Sequence, residues 1–238
     1  MKSLLFSLVF LQAAWAEAPH SPHPTIAVPA AAPSAVLAAV LGQATLDHAV
    51  LIRSRVSNGN IGYCSGVVID ASTVLTAAHC VENNTDHHIH LAAAWIAADR
   101  PMKSSDYHPA HSKSDSDIGI LKFSKALPFS PIRICRKTHS KDTLYRVGFG
   151  GRDGKNTEHV FKIQGTGLES LKGELQLATD QKSVSGDSGG PIFALEPLHA
   201  GEKPTACLYA IHSSIGLEKL PRMSYNPIVR RTLLPISF

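Results

Sequence analysis

Short apolar runs separated by turn-forming residues recur along this chain, and they constrain its fold more than any other feature. The runs are four to eight residues long, and glycine, proline, asparagine and serine lie between them. Many short runs with few helical stretches favour a β-barrel or a β-sandwich. A short helix is expected near 226–234, where Pro227 suits a first helical turn. Strands are predicted at 49–55, 63–70, 73–76, 118–123, 145–149, 160–165, 175–178, 191–195 and 206–212.

The first sixteen residues have the pattern of a secretory signal peptide. Lys2 provides a positive start, residues 4–11 form an apolar run too short to span a bilayer, and Ala14-Trp15-Ala16 offers small residues for cleavage after Ala16. An uncleaved anchor or a buried helix is the alternative. The following stretch, 17–39, contains five prolines that work against a stable helix. We expect it to be a propeptide or a flexible leader.

The charge and the cysteine content indicate which partners and which cellular compartment to expect. The net charge is +4 at pH 7, without a block of Lys and Arg, so no nucleic-acid partner is expected. The four cysteines form no C-x-x-C pair, which favours disulfides in an oxidising compartment over a zinc site. We therefore expect a secreted protein, extracellular or periplasmic, with no membrane partner.

The segment 185–191, Ser-Gly-Asp-Ser-Gly-Gly-Pro, carries the strongest functional signal. A serine hydroxyl becomes a nucleophile when a base takes its proton, and the tetrahedral intermediate needs donors for its oxyanion. The glycine two residues before Ser188 lets the backbone turn its N–H groups toward that oxygen. A plain glycine-rich turn is one alternative. The nucleophile elbow of α/β-hydrolases is another, but there an acid and then a histidine follow the serine, and no Asp follows Ser188.

Two further segments offer a base and an acid. His79 lies in Thr-Ala-Ala-His-Cys, and Asp117 directly precedes the apolar run Ile-Gly-Ile-Leu. A base has to lie about 3 Å from the hydroxyl that it deprotonates, and a carboxylate beside the imidazole fixes its tautomer. Asp115 and Asp106 are the alternative acids. Asp117 is preferred because the predicted strand starts immediately after it.

These segments resemble the motifs GDSGGP, TAAHC and D-I-A-L-L of the chymotrypsin/trypsin family, and the order His, Asp, Ser is the chymotrypsin order. The resemblance extends from about Val40 to the C-terminus. It implies a serine endopeptidase without a cofactor, acting on protein or peptide substrates as a monomer. It assigns catalytic and supporting roles to the triad His79, Asp117 and Ser188, to the oxyanion-hole N–H groups of Gly186 and Ser188, and to Ser213 as a support for the triad Asp.

The same resemblance implies an all-β fold of two six-stranded antiparallel β-barrels with a short C-terminal helix. The first barrel is expected at about 40–127 and the second at about 131–238, with the active site in the cleft between them. A non-catalytic binding relative of the same fold is one alternative, and an esterase with the same triad is another. Fold by itself does not decide between these functions.

The resemblance also implies the two disulfides Cys64–Cys80 and Cys135–Cys207. The first would fix the backbone beside His79, and the second would tie the later half of the chain to the segment that joins the barrels. Two free thiols are the alternative for the second pair. The family's disulfides that flank the nucleophile are missing, since Val184 and Ala194 stand where cysteine is common.

Family members usually mature by cleavage before a segment like Ile-Val-Gly-Gly, whose new amino terminus pairs with the Asp before the nucleophile. That Asp is Asp187 here, and a buried carboxylate needs such a partner. The best match is Val-Leu-Gly-Gln at 40–43. Cleavage would then fall after Ala39 and expose Val40, so no trypsin-like activator is expected.

Basic residues are expected at the substrate pocket. Lys182 stands six residues before the nucleophile, where trypsin-like enzymes carry Asp, and His212 before Ser213 resembles Glu-specific bacterial members. Arg222 is a further candidate for the pocket wall. We therefore expect a preference for acidic residues before the cut, since a substrate carboxylate would offset the burial of these charges. The alternative is that Lys182 faces solvent or pairs with Glu218.

A histidine cluster at 87–90 invites a metal interpretation. His87, His88 and His90 lack a Glu or Cys at convincing spacing. A solvated loop without a metal is the expected structure.

Overall fold

The structure is a computed structural model that describes eleven stretches of the chain. The predicted signal peptide, the leader 17–39 and Val40 lie outside them, as do Lys182 and Arg222. The described residues are 48–91, 94–107, 116–129, 131–137, 143–152, 155–156, 159–164, 174–178, 183–197, 204–215 and 223–227.

Strands account for nearly all regular structure in these residues. The one described helix of more than a single residue is α1 (Ala78–Val81), directly after the third strand. The strands are β1 (Ala49–Arg55), β2 (Ile61–Asp70), β3 (Thr73–Thr76), β4 (Thr85–Leu91), β5 (Ala94–Ala97), β6 (Arg100–Lys103), β7 (Gly119–Lys122), β8 (Thr143–Gly148), β9 (Gly151–Arg152), β10 (Lys155–Asn156), β11 (His159–Gln164), β12 (Glu174–Ala178), β13 (Pro191–Glu196), β14 (Thr205–Ile211), β15 (Ser214–Ile215) and β16 (Met223–Pro227).

The first half of the chain forms one seven-stranded antiparallel sheet in the order β5-β4-β1-β2-β3-β7-β6. Successive residues of a strand face opposite sides of the sheet, as Val67 and Val68 of β2 do. Val68 packs with Val50, Ile52 and Leu121 inside this half. Val67 instead belongs to a cluster shared with the second half, whose buried members include Leu75, Ile120, Tyr145, Val147, Phe193 and Leu208.

The second half contains a four-stranded sheet, β11-β8-β13-β14, and a three-stranded sheet, β12-β16-β15, besides the short pair β9-β10. Leu144, Ile192 and Ala210 are fully buried in its own apolar cluster. The two halves therefore each have an interior and share a third cluster, as expected for two packed β-barrels. The active-site segments lie near this shared cluster, after β3, before β7 and before β13.

All nine predicted strands are present, with ends that differ by at most two residues from the prediction. Three strands of the first sheet were not predicted: β4, β5 and β6. The first sheet accordingly has seven strands rather than six. The predicted C-terminal helix is wrong for Asn226 and Pro227, which pair as strand residues with β12. The remainder of that helix, 228–234, lies outside the described residues.

The expectation of a solvated loop at the histidine cluster is also wrong. His88 and His90 lie on β4, where they pair across strands with Ala97 and Trp95. The ring of His90 lies 4.8 Å from that of Trp95, and the Arg53 guanidinium lies 4.4 Å from the Trp95 ring. His87 points the other way and is only 3% exposed. The alternation of a strand thus buries one histidine and leaves its neighbours outside.

The buried His87 is expected to make the fold sensitive to acid. Burial lowers the pKa of His87 below the ordinary value of 6.5, although a hydrogen bond to the Cys80 backbone partly opposes that shift. The unfolded chain therefore binds a proton at a higher pH than the folded chain does. The free energy of unfolding should then fall as the pH drops below about 6.5.

The measurement is the free energy of unfolding in urea at several pH values between 7.5 and 5, taken for the protein and for two variants. In His87→Asn, which cannot titrate, the decline should be shallower. The control is His90→Asn, because His90 is exposed on the same strand. Equal slopes in the protein and in His87→Asn would contradict the prediction.

Candidate active site

The chain brings His79 and Asp117 together through the pairing of β3 with β7. Thr76 at the end of β3 pairs with Gly119 at the start of β7. The helix α1 then carries His79, while Asp117 stands two residues before Gly119. A side chain at Gly119 would come within 2.8 Å of the Ala77 carbonyl oxygen, so only glycine allows the two segments to approach this closely.

Asp117 accepts hydrogen bonds from three directions. Its Oδ2 lies 2.8 Å from Nδ1 of His79, its Oδ1 accepts from the His79 backbone N–H at 2.9 Å, and the Ser213 hydroxyl donates to Oδ2 at 2.5 Å. Burial alone would raise the pKa of Asp117, but the hydrogen bonds and charge of His79, together with Ser213, hold this pKa below its usual range. The carboxylate is therefore ionised at neutral pH. The imidazole then carries its proton on Nδ1, which leaves Nε2 as the acceptor.

Ser188 is joined to the same group of side chains through Ser213. The Ser188 hydroxyl donates to the Ser213 carbonyl oxygen at 3.4 Å, a long hydrogen bond. Among the described residues, no hydrogen bond joins Ser188 directly to His79. Catalytic hydrogen bonds are often long or poorly aligned in proteins without substrate and tighten when substrate binds. The Ser188 hydroxyl has to give up its bond to the Ser213 carbonyl before His79 can take its proton.

The backbone directly before Ser188 makes a turn over residues 184–187. The Asp187 N–H donates to the Val184 carbonyl oxygen at 3.1 Å, and Gly186 at the third position of this turn has φ of +102°. A positive φ there is typical of a type II turn and favours glycine. The N–H groups of Gly186 and Ser188 donate to no partner within the described part of the chain, so both are available to an oxyanion.

Asp187 is fully buried beneath this turn and already has hydrogen-bond donors. Its carboxylate accepts from the backbone N–H groups of Gly150 at 3.0 Å and Val184 at 2.9 Å, and from the Ser183 hydroxyl at 3.3 Å. A side chain at Gly148 would come within 2.3 Å of Asp187 Oδ1. Val40, the predicted partner of Asp187, lies outside the described residues.

The predicted pocket residue His212 is 1% exposed and lies against Ser183. Its Nε2 is 2.5 Å from the Ser183 hydroxyl oxygen. Because that hydroxyl donates its proton to Asp187, the hydrogen-bond network assigns the donor role in this contact to Nε2. The pocket histidine is thus linked through one hydroxyl to the carboxylate beneath the oxyanion turn.

Both predicted disulfides are present, Cys64–Cys80 and Cys135–Cys207. The first attaches α1 to β2 beside His79. In two groups of described side chains, the atoms that could bind a metal ion lie as close together as metal ligands do. Each group contains one of these disulfides. Oxidised sulfur lacks the thiolate that binds a metal, so neither group is a metal centre.

Two residues that the sequence reasoning did not single out take part in this site. Ser65 donates through its hydroxyl to the Gly186 carbonyl oxygen at 2.7 Å, and Ser183 bridges His212 and Asp187 as described above. Ser183 could have been found from its place beside the predicted pocket floor. Ser65 follows the disulfide cysteine of β2, but the sequence around a serine in a strand does not indicate a hydrogen-bond partner 121 residues away.

The all-β fold of two halves, with His79, Asp117 and Ser188 on segments near their shared cluster, is typical of serine proteases of the chymotrypsin type. A family model described as Trypsin matches residues 42–216, and the chain belongs to this family. A curated chymotrypsin from Phaedon cochleariae is 27% identical over 191 residues, which cover 64% of this chain and 68% of that protein.

Solved structures show the same fold. A protein described as HL collagenase superposes with a TM-score of 0.65 at 18% identity, covering 82% of this chain and 93% of that one. The scabies mite inactivated protease paralogue S-D1 gives a TM-score of 0.62 at 14% identity, covering 82% and 92%. Within the described residues, no helix combines the length and apolar character needed to cross a bilayer.

Proposed function

We propose that this protein is a secreted serine endopeptidase that hydrolyses peptide bonds with His79, Asp117 and Ser188. The observation that carries the proposal is the buried Asp117 carboxylate, which binds both the backbone and the ring of His79 and is itself held by Ser213. The trypsin family acts on proteins and peptides, which gives the substrate class.

The chemistry follows from the protonation states. His79 Nε2 takes the proton of the Ser188 hydroxyl as the oxygen attacks the carbonyl carbon of the substrate, and Asp117 stabilises the imidazolium that forms. The N–H groups of Gly186 and Ser188 donate to the oxyanion of the tetrahedral intermediate. The imidazolium gives its proton to the leaving amine, and a water molecule then releases the acyl group by the same steps in reverse order.

A non-catalytic relative is the second candidate. It is favoured by the inactivated scabies mite paralogues among the structural neighbours, two of which have TM-scores of 0.62 and 0.60. This chain retains a His, an Asp and a Ser at the three motif positions. A catalytic protein is therefore the preferred conclusion.

A fluorophosphonate probe tests the proposal, because it reacts covalently with an activated serine. We expect near-stoichiometric labelling of the native protein, with the adduct on the peptide that contains Ser188, and no labelling after heat denaturation. Turnover of a peptide library would accompany the labelling. Labelling with ester turnover but no peptide turnover would indicate an esterase, and neither labelling nor turnover would indicate a binding protein.

We further propose a preference for Glu or Asp on the acyl side of the cut. Lys182, His212 and Arg222 are the residues assigned to this preference by their positions. His212 supports it, because its buried imidazole lies beside the nucleophile segment. A protonated ring at that place attracts a carboxylate and repels a guanidinium.

A fluorogenic panel measures this preference. The kcat/KM for a peptide with Glu before the cut should exceed that of the same peptide with Arg by at least about tenfold. His212→Val should lose the difference while still cleaving a peptide with Leu at that position. Cleavage only after Arg, Lys or large apolar residues would overturn the acidic pocket.

We also propose that the signal peptide ends at Ala16 and that maturation exposes Val40, whose amino group would join the donors around Asp187. Amino-terminal sequencing of the active, exported protein should begin at Val40. An active protein that still carries residues 17–39 would contradict this maturation.

A further inference from the structure

Ser65 connects the first half of the chain to the oxyanion turn of the second. It lies on β2 directly after Cys64 and is 0% exposed. Its backbone N–H donates to the Ser188 carbonyl oxygen at 2.7 Å. Its hydroxyl donates to the Gly186 carbonyl oxygen at 2.7 Å and accepts from the Phe149 N–H at 2.9 Å.

The hydroxyl bonds matter because the direction of one N–H depends on the shape of the turn. The Gly186 N–H belongs to the central peptide of the turn that Val184 begins. This central peptide points in opposite directions in type I and type II turns, and φ above zero at Gly186 belongs to type II. A flip of this peptide would remove one of the two N–H groups available to an oxyanion.

Little else in the described residues fastens this turn to the first half of the chain. Val184 replaces a cysteine that is common in the family, and Ser65 is the one described side chain from the first half that donates to the turn. Without its hydroxyl, the buried Gly186 carbonyl would lose its donor and the Phe149 N–H would lose its acceptor in the active turn. The active turn would then be less stable relative to other backbone conformations, with the Gly151 N–H still donating to the Ser185 carbonyl of its central peptide at 3.1 Å.

We propose that the Ser65 hydroxyl is a positioning group that holds the turn at Gly186 in the conformation that binds the oxyanion. The proposal rests on the proposed function, since it concerns the oxyanion hole of that reaction. Ser65 touches no substrate. It acts by holding the Gly186 carbonyl, in the peptide that directly follows the central peptide of the turn.

The test compares Ser65→Ala and Ser65→Gly with the unaltered protein. Loss of one oxyanion donor lowers kcat by about 10²–10³-fold in proteases, so partial loss of the active turn should lower kcat by about tenfold to a hundredfold. KM should stay nearly constant. The inhibition constant of a peptide aldehyde, whose adduct places an oxygen in the hole, should rise by a similar factor.

Two controls separate positioning from stability. Ser54→Ala removes another buried serine hydroxyl from the first half, on β1, and should leave kcat unchanged. Rates are expressed per active site, counted by complete fluorophosphonate labelling after long incubation. If kcat per active site is unchanged in both Ser65 variants, or if the fraction unfolded accounts for the whole loss, the proposal is overturned.

Crystal structures of the Ser65 variants keep this proposal separate from the proposed function. If the unaltered protein shows neither labelling nor turnover, the proposed function fails by itself. The hydroxyl's role is then judged by the backbone at Gly186 in Ser65→Ala. Loss of the positive φ at Gly186 in this variant supports the role of Ser65, and an unchanged turn overturns it.

Discussion

Ser188→Ala is expected to lower kcat by roughly 10⁶-fold, because removal of a serine nucleophile leaves only binding and the oxyanion hole to act on water. KM should change little, since the Ser188 hydroxyl contributes little to the binding of substrate before the reaction. The measurement is turnover of a fluorogenic peptide by protein free of contaminating protease. The remaining activity estimates what the oxyanion hole contributes alone.

The control for this variant is Ser105→Ala, because Ser105 is an exposed serine outside the site and its replacement should leave kcat unchanged. A Ser188→Ala protein within about 100-fold of the original kcat would show that another group is the nucleophile.

Asp117→Asn is expected to lower kcat by about 10⁴-fold at neutral pH. The carboxylate accepts the Nδ1 proton of His79 at 2.8 Å, whereas the amide that replaces it would donate to Nδ1. The ring proton would then move to Nε2, the atom that has to accept the proton of Ser188. The fold should survive, because the amide oxygen can still accept the bond from the His79 backbone N–H, and the Ser213 hydroxyl can rotate to accept from the amide N–H.

Asp106→Asn is the matched control, since Asp106 was an alternative acid and is exposed in the structure. It should keep full activity. The double variant Ser188→Ala/Asp117→Asn should be no slower than Ser188→Ala alone, because residues of one catalytic unit are not additive. Additive losses, or an Asp117→Asn protein with nearly full activity, would remove Asp117 from the proposed mechanism.

The strands that sequence predicted well have compact apolar runs. β1, β3 and β14 combine β-branched or leucine residues with a clear turn on at least one side, and their predicted ends are within a residue of the observed ones. Such runs form strands because burial against a neighbouring sheet stabilises them wherever the chain folds back. Their pattern is local, so it can be recognised without knowing the partner strand.

The strands that sequence missed are defined by their neighbours. β4 reads Thr-Asp-His-His-Ile-His-Leu, in which only Ile89 and Leu91 are apolar. It becomes a strand because it pairs with both β1 and β5, and because the ring of Trp95 on β5 lies against that of His90. Pro227 shows the opposite error. It suits a helix start locally, yet pairing with β12 places it in a strand.

The site shows the same division between local and distant information. The motifs around His79, Asp117 and Ser188 are local, because each needs particular backbone freedom or a particular neighbour, and they indicate all three side chains of the proposed triad. The bonds from Ser65 to Gly186 and from His212 to Ser183 join residues 121 and 29 positions apart. No spacing rule along a chain reports such contacts.

The amino-acid sequence by itself determined the class of fold, the family and the residues of the proposed triad, because alternating apolar runs and short glycine-containing motifs have the same physical meaning in every chain. Only the tertiary structure decided which buried polar groups support them. A hydroxyl such as that of Ser65 acquires its donor and its acceptor when two distant segments pack together and exclude water, and each unpaired group left there would destabilise the fold.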